Sequence, residues 1–121
     1  MFVILLSLFS HVFAQSPAPL KNKSAKCNED SGGVTSKMLD CAAEEIKSVD
    51  AELNSVYKNL LKTKSDFQKK ALKKAQLAWI KFRDAECAYY ADPDDGTSAA
   101  INGQGCVLEL TKKRIEEIKK L

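Results

Sequence analysis

Four cysteines, Cys27, Cys41, Cys87 and Cys106, hold the sulfur chemistry open to this chain. Thiolates make zinc sites when they come in tight pairs such as C-x-x-C. No such pair exists here, so neither a metal nor any other cofactor is expected. An even count in a small exported chain points to disulfides instead. Three pairings are open. Joining sequence neighbours, Cys27–Cys41 and Cys87–Cys106, closes short loops worth ~3 kcal/mol each by chain entropy, and is the favoured pairing. A Cys41–Cys87 bond is the alternative.

The other chemistries are poorly equipped. His11 is the single histidine and falls in the first 14 residues. A chain that loses them has no Ser-His or Cys-His nucleophile. Arg83, Asp84 and Glu86 cluster on one segment, and an antiparallel partner helix would bring Asp50 and Asn54 to them. A glycosidase needs two carboxylates flanking a substrate cleft. In a small helical domain these residues are better read as a polar set that fixes helix register. Asp92-Pro93-Asp94-Asp95-Gly96 is acidic, but it lacks the ligand spacing and closing Glu of an EF-hand. The chain is expected to bind rather than to catalyse.

The elements that position these residues follow from hydropathy. The chain has 121 residues, enough for one domain. Phe2 to Phe13 is almost wholly apolar, ends on Ala14, and is followed by the polar Gln15-Ser16-Pro17. That pattern reads as a signal peptide over residues 1–14. It falls short of the ~20 apolar residues of a membrane span, so the mature chain is expected to have no transmembrane segment and to be periplasmic or secreted. Removing residues 1–14 removes no Lys, Arg, Asp or Glu, and the net charge stays at +3. That is too mild for a nucleic-acid partner.

Residues 15–33, with Pro17, Pro19, Gly32 and Gly33, read as a flexible strap tied down at Cys27. Residues 34–121 form the helical domain. A first helix is expected over 36–61, capped by Thr35 or Ser36. Its apolar face is Met38, Ala42, Ile46, Val49, Leu53, Val56 or Tyr57, and Leu60. The Tyr57 hydroxyl should find a polar partner. Ser65-Asp66-Phe67-Gln68 has the capping-box form and opens a second helix to residue 90, with Leu72, Ala75, Trp79, Phe82 and Tyr89 as its core face. A loop over 92–105 follows, then a helix over 106–120 facing inward with Leu108, Ile115 and Ile118.

Two long helices joined by a short turn lie antiparallel. The expected fold is therefore all-α, a small antiparallel three-helix bundle with both disulfides at one end. That end would be acidic, with Asp92, Asp94, Asp95 and Gly96 in a loop suited to a cationic protein. The opposite tip would be basic, with Lys69, Lys70, Lys73 and Lys74 suited to an anionic envelope polymer or lipid.

Certain segments also carry a family resemblance. Asp50-Ala51-Glu52-Leu53-Asn54-Ser55-Val56-Tyr57, the stretch Ala75-Gln76-Leu77-Ala78-Trp79-Ile80-Lys81-Phe82-Arg83-Asp84-Ala85-Glu86-Cys87, and Cys106 ahead of a Lys/Arg-rich helix together resemble the LprI-like family, whose namesake inhibits lysozyme. The resemblance runs from about Cys27 to Leu121. It implies an exported, helical, Cys-paired protein whose partner is a protein of the lysozyme class.

Overall fold

The computed structural model describes residues 21–121. They form α1 (Lys21–Asp30), α2 (Thr35–Leu61), α3 (Asp66–Tyr90) and α4 (Ser98–Lys119), with a 3-10 turn at Pro93–Asp95. No strand occurs among the described residues. The expected signal peptide lies outside them, as do residues 15–20 of the strap.

Residues 21–30 correct the expectation of an irregular strap. No Gly or Pro interrupts them, and they wind into α1. The break comes only at Ser31-Gly32-Gly33. There Gly32 and Gly33 take φ of 58° and 77°, a left-handed path that favours glycine. The buried Ser31 holds this turn, donating from Oγ to the Asn28 carbonyl at 2.5 Å. The cap of α2 also differs from expectation. Thr35 already lies inside the helix, and Val34 sits at the N-cap with no side-chain hydrogen bond. The turn above it sets the helix start. At α3 the capping box forms as expected: the Gln68 amide donates to Ser65 Oγ at 3.2 Å and the Ser65 amide to Gln68 Oε1 at 3.2 Å.

α4 starts eight residues earlier than expected, at Ser98 rather than Cys106. Gly103 and Gly105 argue against helix, since each costs about 1 kcal/mol relative to Ala in a helix interior. Tertiary contact outweighs that cost. A Cβ placed on Gly103 would stand 2.9 Å from the Ala91 Cβ, so only glycine lets α4 lie this close to the end of α3. The Cys87–Cys106 bond then holds the two helices together.

Two ion pairs fix the register of α2 and α4. Lys112 Nζ stands 2.6 Å from Glu45 Oε1 and Lys119 Nζ 3.6 Å from Glu52 Oε1. The offset is the same in both pairs, so these two helices run parallel. α3 runs opposite to both: Arg83 meets Asp50 on α2 and Thr111 on α4. α4 packs extensively against α2 and α3, whereas α2 and α3 barely meet. The C-terminal helix thus closes the hairpin that precedes it.

The core lies in that seam. Val49 and Leu53 from α2 meet Ile115 and Ile118 from α4, with Val56, Tyr57, Leu60, Trp79 and Leu108 packed around them. The expected faces of α2 and α4 both hold. The expected face of α3 holds only at Leu72 and Trp79. Its covered residues are Leu72, Gln76, Trp79, Ile80, Arg83, Glu86 and Cys87, while Phe82 is 55% and Tyr89 79% exposed. The disulfide explains the rotation. Stepping back from Cys87 by threes and fours gives Arg83, Ile80, Gln76 and Leu72, and these turn toward α4 with it.

Two glycines on one helix make a controlled test of this packing. Gly105→Ala, with no atom within 4 Å of the new Cβ, should raise stability by roughly 0.5–1 kcal/mol. Gly103→Ala should lower it by roughly 1–3 kcal/mol through the Ala91 clash. Urea titration of the oxidised protein reads both. Ile118→Ala should cost ~2–5 kcal/mol in the same assay.

Candidate functional site

The disulfides converge on one end of the bundle. Cys27–Cys41 ties α1 to α2 and Cys87–Cys106 ties α3 to α4, with Cα–Cα distances of 5.9 and 5.4 Å. Both lie within the usual range for an unforced bridge. The favoured pairing is the one formed, and no free cysteine remains. Beside Cys27–Cys41 lies a shallow depression of about 220 Å³, lined by Cys27, Asp30, Ser31, Lys37, Asp40, Cys41 and Glu44.

Asp92, Asp94, Asp95 and Gly96 belong to the same end. They form a tight turn rather than an open loop. Asp92 Oδ1 accepts from the Asp94 amide at 2.9 Å, and Ser98 Oγ donates to the Asp95 carbonyl at 2.8 Å. Gly96 takes φ of 63° to redirect the chain into α4. Residues 98–105, expected as the rest of a partner-contacting loop, are the first two turns of that helix. The irregular surface at this end is therefore smaller and stiffer than expected. Asp30, Asp40, Glu44, Asp92, Asp94 and Asp95 form no ion pair with any described residue. Their charge is left to the solvent or to a partner. Among the described residues no cluster has the composition of a metal site.

The far end is basic. Lys69, Lys70, Lys73 and Lys74 on the first turns of α3 are exposed and form no ion pair among the described residues. Lys64 Nζ donates to the Leu121 carbonyl at 2.9 Å, which brings the end of α4 to the same tip. Lys119 is paired there, and its hydrogen bond to Glu116 leads the influences that raise its pKa above the ordinary value. One α3-long axis thus separates a field of lysines from a field of carboxylates.

The central polar residues join the three helices at mid-bundle. Arg83 reaches Asp84 at 3.0 Å, Asp50 at 3.4 Å and Thr111 Oγ1 at 3.3 Å. Its guanidinium also lies over the Trp79 ring, 5.2 Å from the centroid. Arg114 approaches the same ring at 5.9 Å and donates to Gln76 Oε1 at 3.1 Å. Asn54, expected in this set, is exposed and outside it. Thr111, Arg114 and Gln76 are the members that the sequence reading missed. Thr111 interrupts the apolar stripe Leu108, Ile115, Ile118, which was the available signal. Its hydroxyl is fully satisfied, donating to the Val107 carbonyl at 2.6 Å while accepting from Arg83. Tyr57 packs against the core, but its hydroxyl makes no hydrogen bond among the described residues.

Comparison with known proteins places these features in context. Residues 27–118 match the family described as lysozyme inhibitor LprI, a span that contains both disulfides and the Arg83 set. An uncharacterized protein of Rhizobium meliloti (strain 1021) is 34% identical over 95 residues, covering 67% of this chain and 68% of that one. No solved structure matches.

If Arg83 is the pin between three helices, its loss should be felt in stability. Arg83→Met should cost about 1–3 kcal/mol, because Asp50 and Thr111 lose their shared donor. Asp84→Asn, at an exposed partner, should cost no more than a few tenths. Chemical denaturation of the two variants distinguishes the roles.

Proposed function

Because the chain belongs to the family of lysozyme inhibitor LprI, we propose that it is an exported binding protein that inhibits lysozyme-class muramidases through its acidic, disulfide-pinned end. The family and the two disulfides support a protein of the lysozyme-inhibitor kind that works outside the cytoplasm. The observation that carries the finer reading is the set of carboxylates that form no ion pair among the described residues: Asp30, Asp40 and Glu44 around the depression, and Asp92, Asp94 and Asp95 in the turn. A strongly basic enzyme would be steered to that end by its field. The disulfides hold the presenting backbone still, so little ordering entropy is lost on contact. Covering the substrate groove is then enough for inhibition, and no catalytic group is required of this chain.

The basic tip supports a second reading. Lys69, Lys70, Lys73 and Lys74 have no ion-pair partner among the described residues, and an anionic envelope polymer or lipid would neutralise them.

A cell-wall turbidity assay with several lysozyme types, at low and at physiological salt, separates the two. Dose-dependent inhibition that weakens with salt is expected. Replacing Asp92, Asp94 and Asp95 together by Asn should raise the half-inhibitory concentration by about tenfold, while replacing the four lysines by Gln should leave it unchanged. The absence of inhibition at either salt would reject the inhibitor reading, and inhibition lost only in the lysine variant would move the site to the basic tip.

A further inference from the structure

The rotation of α3 leaves an unpartnered stripe on its outer side. Ala71, Ala75, Ala78, Phe82, Ala85 and Tyr89 are all exposed. They recur at steps of four and three, the spacing of the a and d positions of a helix that packs against another helix. The first, third and fifth of these are alanines, and the two aromatic rings alternate with them toward the C-terminal half. Within the bundle none of these side chains has a facing helix.

We propose that this face binds a second copy of the same chain, with the two α3 helices antiparallel about a two-fold axis near residue 80. The argument rests on self-complementarity, which a two-fold interface requires. In that register Phe82 sits over the partner's Ala78, Tyr89 over the partner's Ala71, and Ala75 against the partner's Ala85. Every ring meets a methyl, so the helices approach closely without a ring-on-ring collision.

The area suffices for a dimer of moderate affinity. The aromatics, four alanines and adjoining lysine stems would cover roughly 600–700 Å² per copy, or about 1,300 Å² in all, which clears the ~1,000 Å² that a specific interface needs. The charges also agree. Antiparallel docking lays Lys70 and Lys74, which flank the stripe, beside the half of the partner that carries the exposed Asp84. A parallel dimer would set lysines against lysines. Lys81 meets its own copy at the axis, on the solvent-exposed rim, where screening weakens the repulsion. Each basic tip then lies beside the partner's acidic end, and the interface is read from mass and cross-links rather than from inhibition, so this inference does not rest on the inhibitor reading.

Sedimentation equilibrium of the oxidised protein, from low micromolar to hundreds of micromolar, tests the proposal. A monomer–dimer equilibrium is expected. Phe82→Asp should weaken it on the order of thirtyfold, as for a central contact, while the far-ultraviolet circular dichroism stays unchanged because Phe82 lies outside the core. Amine cross-linking of mixed light and heavy protein should give an intermolecular Lys81–Lys81 link and no Lys70–Lys70 link, since the two Lys70 residues would lie about 30 Å apart along the helices. A monomeric mass at every concentration would overturn the proposal, whether or not the face then binds anionic phospholipid vesicles. So would a dimer indifferent to Phe82→Asp, and so would a Lys70–Lys70 link.

Discussion

Val49 and Leu53 on α2 touch Ile115 and Ile118 on α4, and the rest of the molecule is arranged so that they can. Among the described residues these four aliphatic side chains form the buried cluster. Each contributes about 1.5–3 kcal/mol on removal from water, in a domain whose net stability is expected to be ~5–15 kcal/mol. α3 joins this seam from the side. It brings Trp79, which packs against the cluster, and Arg83, which crosses to both other helices. The bundle is therefore less a symmetric trio than a pair of parallel helices with a third laid along their groove.

A core this small explains the disulfides. Domains near 100 residues leave much of their surface in water, and covalent links compensate by restricting the unfolded chain. The two bridges have separate structural duties. Cys27–Cys41 holds α1, which packs chiefly against α2. Cys87–Cys106 does more, because it sets the rotation of α3. It turns Arg83, Ile80 and Gln76 inward and leaves Phe82 and Tyr89 outside. The same bridge thus determines what the core contains and what the surface offers.

Much of this was legible in the residues. The apolar periods of α2 and of the second half of α4, the Ser65 capping box and the cysteine pairing each have a local cause, and each is found as read. What escaped depends on contacts distant in sequence. Period alone marks two apolar stripes on α3, and nothing local to the helix says which one a disulfide will turn inward. The first two turns of α4 contain glycines that discourage a helix locally, and only the approach of Ala91 makes Gly103 favourable. Thr111 looked like an interruption in a stripe because its partner, Arg83, comes from another helix. Of the surfaces read as functional, the acidic residues and the lysines lie at opposite ends as charge segregation suggested. The loop expected between α3 and α4 shrank to a capped turn.

The dependence of the whole core on α4 also constrains when the protein can fold. The helix that closes the structure follows both helices it closes, and the contacts it makes with α2 span more than half the chain. A chain emerging vectorially, from a ribosome or through a translocation pore, displays α2 and α3 while they still have almost nothing to pack against. Only Cys27 and Cys41 are near enough to pair early. The segment stays open and threadable until its last turns arrive, and its rigidity comes all at once with them.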